Sequence, residues 1–202
     1  MNLRRVAKVV LAVVSLVPAL LLTRGLIQAR LGPNPAETIQ LETGIWAFRF
    51  LILTLVVTPV RRLTGWNEAI QYRRMLGLLA FFYAALHVTS YLAFDVLFAW
   101  GLFVEDVVKR PFITAGMIAF TAMVPLAITS TRGWIRRLGR RWQVLHRLIY
   151  VSAVGAAVHY LWKGKVIYGT PVIYAGLVAA LLAFRVVWMA RKRRVRPQPA
   201  QS

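Results

Sequence analysis

Residues 75–100 read MLGLLAFFYAALHVTSYLAFDVLFAW. The run holds one charged side chain, Asp95, and that lies near its end. As a helix it extends ~39 Å, more than the ~30 Å of a bilayer's hydrocarbon core. A strand standing alone in lipid would leave its backbone groups unpaired, so the helix is the form expected. His87 lies in the middle of the run. An imidazole is costly to place in hydrocarbon, and an ionisable group at that depth marks a functional site.

Five further runs reach similar length. They are 6–27, 44–60, 112–131, 142–162 and 171–190, the second being the shortest and the least defined at its ends. The expected fold is therefore all-α, a bundle of six transmembrane helices in one domain over residues 1–190. Residues 191–202 form a basic tail that is expected to be disordered and to meet anionic lipid. The N-terminal MNLRRVAKVV and the apolar run after it resemble a signal peptide, but no small-residue cleavage site follows, so the run is read as a retained first helix. The longest outer loop is expected over 28–43, where LGPNPAET carries turn residues. Trp46, Trp100, Trp142, Tyr160, Trp162 and Tyr168 sit near span ends, as an interfacial aromatic belt would.

Of 202 residues, 59% are apolar and the mean hydropathy is +0.62, while the net charge is +20. In a soluble chain that charge would suggest nucleic acid. Here 17 of the 26 Lys and Arg fall at the N-terminus, in the second-to-third and fourth-to-fifth connections, and in the tail, which a six-span chain brings to one side. The positive-inside rule then places both termini in the cytoplasm. Nucleic acid is not an expected partner; the bilayer is. The connections leave no room for a nucleotide-binding domain, so reducing equivalents must come from elsewhere. With no cysteine, disulfides, iron–sulfur clusters and covalently attached haem are excluded.

The remaining histidines, His146 and His159, share one span, WQVLHRLIYVSAVGAAVHYLW. The third and fifth spans run parallel. Arg73 and His87 lie ~21 Å apart along one axis, and His146 and His159 ~20 Å apart along the other. This gives two rungs, a deeper one of His87 with His159 and an inner one of Arg73 with His146. Histidine is a common axial haem ligand. A haem between His87 and His159 would be six-coordinate, closed to substrate and suited to electron transfer. His146 is the candidate for a second haem, but on an ideal helix it lies about 140° round from His159. Either Gly155 marks an irregularity or His146 points elsewhere. A packing role for His146 stays open, as do a proton relay and a three-histidine zinc or copper site. Arg49 lies toward the outer side, within reach of a propionate of the deeper haem, or it snorkels, as Arg185 is expected to do. Gly77 and Gly116 are read as points of close helix or macrocycle approach.

Five strings, RRMLGLLAFFYAALHVTSY, RPFITAGM, AITSTRGWIRRLGRRWQVLHRLIYV, HYLW and PVIYAGL, resemble the ferric-reductase-like transmembrane family. Within it they resemble the haem-binding subunits of bacterial methionine-sulfoxide reductase systems, over residues 33–185. That resemblance implies an inner-membrane b-type cytochrome that also binds FMN. It would take electrons from the respiratory quinone pool and pass them to a periplasmic molybdenum enzyme, which reduces methionine sulfoxide in oxidised proteins. The wider family carries two histidines on each of two helices. His87, His146 and His159 match that pattern, and Arg73 stands at the fourth position. Arg73 is then an unusual ligand, a propionate partner or an inner-face charge. The residues also admit a stand-alone quinol or metal reductase and a non-redox scaffold or small transporter.

Overall fold

The computed structural model describes residues 3–163 and 169–194. Its helices are α1 (Leu3–Ile27), α2 (Pro35–Thr64), α3 (Ile70–Phe94), α4 (Trp100–Lys109), α5 (Pro111–Ile128), α6 (Arg132–Leu138), α7 (Arg140–Leu145), α8 (Leu148–Lys163) and α9 (Thr170–Arg194), with a 3-10 turn at Asn67–Ala69. Among the described residues there is no strand. Six helical segments are long and apolar enough to cross a membrane: Arg5–Ile27, Pro35–Thr64, Asn67–Phe94, Pro111–Ile128, Arg140–Lys163 and Thr170–Arg191. The all-α, six-span expectation is met. Tyr168 and residues 195–202 of the basic tail lie outside the described residues, and α9 carries the chain as far as Arg194.

Two antiparallel hairpins make the body of the bundle, α2 with α3 and α5 with α8. The core lies where they meet, around Leu55, Ala80, Tyr83 and Ala153, all with no exposed surface. Gly155 lets α8 close on α5: a Cβ there would sit 3.0 Å from the Ala115 carbonyl oxygen and from the Ala119 Cβ. Without a hydrophobic force between helices in lipid, such small-residue contacts are what packing rests on. α1 and α9 flank the body and turn large apolar side chains outward, among them Val13, Leu20, Ile173 and Val186.

The second span, expected to be the shortest, belongs to the longest helix. Its polar opening, PAETIQLET, is helical because Asn34 caps it: the Asn34 Oδ1 accepts from the Glu37 N–H at 3.2 Å, and Pro35 follows at the first helical position. Gly65, at φ 73°, closes α2 in the left-handed conformation. The third span stops earlier than expected. Leu97 and Phe98 both have positive φ, 47° and 56°, which no helix continues. The chain restarts as α4, so what read as a span end and loop is a short separate helix.

Pro18 removes an N–H from α1, and Tyr83 of α3 repairs the ladder beside it. The Tyr83 hydroxyl donates to the Ser15 carbonyl at 2.6 Å and accepts from the Ala19 N–H at 3.3 Å, standing between two groups that would otherwise bond each other. Tyr83→Phe should therefore destabilise the protein by about 1–3 kcal/mol, read as a lower thermal midpoint in detergent, with α1 loosened first.

Candidate functional site

His87 on α3 and His159 on α8 face each other across the hairpin interface. Their ring centroids are 6.0 Å apart and their planes cross at 78°. The His87 Nδ1 lies 2.9 Å from the Gln40 carbonyl oxygen, and the His159 Nδ1 2.7 Å from that of Phe112. A carbonyl only accepts, so each Nδ1 carries the proton and donates. Each neutral ring then keeps its lone pair on Nε2, the tautomer that a metal-ligating histidine needs and that a carbonyl partner fixes.

Each carbonyl can be reached because a glycine stands one turn beyond it. A Cβ on Gly44 would lie 3.1 Å from the Cε1 and Nδ1 of His87. A Cβ on Gly116 would lie 2.7 Å from the Nδ1 of His159. The two half-sites share one spacing. Carbonyl and histidine are 47 residues apart in both, and the glycine lies four residues after the carbonyl in both. The sequence shows no repeat, yet the two hairpins present the same device from opposite sides.

The rings border an apolar cavity lined by residues of both hairpins, with Phe48, Phe120 and Met123 among its walls. Its polar lining is sparse: Tyr91, Tyr160, Lys163 and Tyr174 besides the histidines and Gln40. The Tyr91 hydroxyl donates to the Asp106 carboxylate of α4 at 2.5 Å, and Arg110 pairs with the same carboxylate at 3.1 Å. The Gln40 side chain donates to Asp95, which ties the start of α2 to the end of α3.

These residues fit a haem. A metal–imidazole bond is about 2 Å and a ring centroid lies about 1 Å behind its nitrogen, so two imidazoles on one metal have centroids about 6 Å apart. The crossed rings, the unprotonated nitrogens and the apolar walls meet the demands of a flat, apolar macrocycle ligated on both faces. Among the described residues no three His, Cys, Asp or Glu gather as a metal site, so the three-histidine zinc or copper alternative has no structural counterpart there.

The inner rung is arranged differently. The chain breaks between α7 and α8 at His146 and Arg147, not at Gly155. The His146 ring stacks on Trp142 with centroids 3.8 Å apart, and its Nε2 lies 3.1 Å from the Thr129 Oγ1. That hydroxyl spends its proton on the Pro125 carbonyl at 2.6 Å, so the His146 Nε2 is the donor. Arg73 lines a separate cavity with Arg61 and Arg62.

Arg49 is half-buried and does not line the cavity; its Nε donates to the Tyr174 hydroxyl at 2.9 Å while its guanidinium lies over Trp46. Among the described residues the cation at the cavity is Lys163, which ends a span and reads in the sequence as an ordinary flanking charge. Of the aromatics near span ends, Tyr160 lines the cavity, Trp46 packs on Phe50 and Tyr83, and Trp142 stacks on His146. Trp100 and Trp162 are exposed. Gly77 meets only ordinary contacts at 3.8 Å, whereas Gly116 is as close as expected. Arg185 does not snorkel: it is 5% exposed and donates to the Leu55 carbonyl at 2.7 Å.

The family model "Ferric reductase like transmembrane component" matches residues 43–157. The chain is 53% identical to a protein of Herminiimonas arsenicoxydans over 81% of its own length and 77% of the relative's. It is 48% identical to one from Xanthomonas euvesicatoria, covering 84% and 80%, and 49% identical to one from Brucella ovis, covering 84% and 78%. All three are named "Protein-methionine-sulfoxide reductase heme-binding subunit MsrQ". No solved structure matches.

Proposed function

Because the chain belongs to the MsrQ family of ferric-reductase-like transmembrane proteins, we propose that it is the haem-binding subunit of a methionine-sulfoxide reductase system. In this reading it is a multi-pass protein of the bacterial inner membrane with both termini cytoplasmic. It holds a b haem between His87 and His159 and conducts electrons from quinol to a periplasmic, molybdenum-containing MsrP-like enzyme that repairs oxidised proteins. The observation that carries the reading is the facing pair of imidazoles, each with its Nδ1 proton committed to a carbonyl.

When bound, the haem supplies a one-electron ferric–ferrous couple. The residues do the rest. His87 and His159 would hold the haem through their Nε2 lone pairs, and ligation by two histidines would supply electron transfer rather than oxygen or substrate binding. Gln40 and Phe112 fix the rings, Gly44 and Gly116 let them close, and the apolar walls exclude water. Lys163 would supply a cation for a haem propionate, with Arg49 acting behind Tyr174. Arg73 and His146 would not complete a second bis-imidazole site. Sequential one-electron transfer from quinol to a catalytic partner suits such a closed centre.

The test is a reduced-minus-oxidised spectrum of detergent-purified protein with haem and flavin content. A quinol should reduce it, and an MsrP-like partner with methionine sulfoxide should reoxidise it. A low-spin b-type spectrum with one haem per chain is the expected result. A colourless protein that takes up no added haem would end the reading, and the flavin content tests the FMN expected from the family. Two variants refine it. His146→Ala should keep the low-spin spectrum. Lys163→Gln should make the midpoint potential more negative by tens of mV, because a cation near the centre favours the reduced state; the scale is that of one charge ~10 Å away at an effective dielectric of ~20.

A further inference from the structure

A second cavity, of about 480 Å³, opens at the basic end of the bundle between the last turn of α2, the start of α3 and the end of α9. Arg61, Arg62 and Arg73 line it together with Thr58, Asn67 and Trp188, and no carboxylate does. Two of the guanidiniums are held in place. The Arg61 Nε donates to the Asn67 Oδ1 at 2.8 Å, and Arg62 lies 5.1 Å over the Trp188 ring. Arg73 has no hydrogen bond or ion pair among the described residues. One turn before Trp188 on the same helix, Arg185 lies behind the cavity without lining it; it is 5% exposed, donates to the Leu181 and Leu55 carbonyls and sits over the Tyr150 ring.

A basic membrane face explains only part of this. Arg61 and Arg62 sit at the C-terminus of α2, where the helix dipole favours cations. Arg73 lies in the first turn of α3, where the dipole opposes one, and Arg185 is buried away from water. Cations gathered at one corner repel each other unless an anion joins them. Guanidinium forks match tetrahedral oxyanions, and the Trp188 ring offers a flat apolar face to whatever carries the anion.

We propose that this corner is a phosphate-binding site, filled by a phosphate group carried either on an anionic phospholipid or on a soluble compound. The site is separate from the His87–His159 cavity, and its test does not depend on the haem reading.

The experiment follows thermal unfolding of the full-length protein in detergent while inorganic phosphate or phosphatidylglycerol is titrated, with chloride matching ionic strength. A saturable rise in midpoint is expected with at least one probe. Arg73→Gln and Arg62→Gln should weaken it about tenfold or more, the loss of one charge-assisted hydrogen bond. Arg136→Gln, which removes an exposed charge on α6 outside the cavity, should leave it unchanged. Saturation by inorganic phosphate assigns a soluble compound; saturation by phosphatidylglycerol alone assigns the lipid. If Arg73→Gln fails to fold by circular dichroism, Arg73→Lys serves instead, since it keeps the charge, loses the fork and should weaken binding by a smaller factor. The proposal is overturned if neither probe gives a saturable shift, or if Arg136→Gln weakens binding as much as the cavity variants do.

Discussion

His87→Ala and His159→Ala, purified in parallel with the unaltered protein, will each retain at most about a tenth of its haem and none of its low-spin spectrum. Outer partners of a metal ligand alone are worth about 10–100-fold in affinity, and the ligand itself is worth more. Either substitution also removes the donor to a helix carbonyl, Gln40 or Phe112, so the loss is not confined to one bond. Far-ultraviolet circular dichroism should stay near that of the unaltered chain, because neither histidine belongs to the fully buried packing around Leu55 and Tyr83. A full low-spin spectrum in both variants would mean that other groups ligate the iron.

Gly116→Ala should come next in size, though it touches no ligand atom by chemistry. Its Cβ would lie 2.7 Å from the His159 Nδ1, closer than packed atoms come. The ring must leave the Phe112 carbonyl, or α5 and α8 must part where Gly155 packs so closely that even a Cβ there would lie 3.0 Å from Ala115 and Ala119. Both routes release the tautomer and the angle of the ligand, so haem affinity should fall about 10–100-fold and the remaining haem should become partly high-spin. Gly44→Ala meets His87 at 3.1 Å and should lose less, while Gly77→Ala, with neighbours at 3.8 Å, should change nothing. Haem-to-protein ratios across the three variants give the order. Equal retention in Gly116→Ala and Gly77→Ala would show that the close approach is not needed.

The spans were legible because a bilayer demands long apolar runs, and the run from Met75 to Phe94 could be nothing else. The His87–His159 pair was legible for a related reason, since depth along parallel helices can be counted from sequence. What escaped depends on direction around a helix and on single dihedrals. The left-handed Leu97 and Phe98 end α3 without a glycine or proline to announce it. The break at His146 falls in an apolar run with no helix breaker, so phase counted on an ideal helix could not tell where that ring points. Polar PAETIQLET hid the first turns of α2 from a reading based on hydropathy, although Asn34–Pro35 is a visible start signal. Lys163 and Arg185 were opposite errors: a flanking charge that reaches the cavity, and a lysine-like expectation of snorkelling for an arginine that stays inside.

The matched half-sites also set an order of events in synthesis. The first hairpin, with His87 already aligned by Gln40 and Gly44, is complete at Phe94, and His159 is made 65 residues later. At ~5–20 residues per second that interval is roughly 3–13 s. Through it the bilayer holds half of a binding site whose Nε2 lone pair has no partner on the opposite face. On the proposed haem reading, loading would wait for the second hairpin, and a nascent chain stalled before α8 is expected to insert normally and remain colourless. In the same reading, the bound group would then add a clasp to the packing around Leu55, Ala80, Tyr83 and Ala153 that already joins the hairpins.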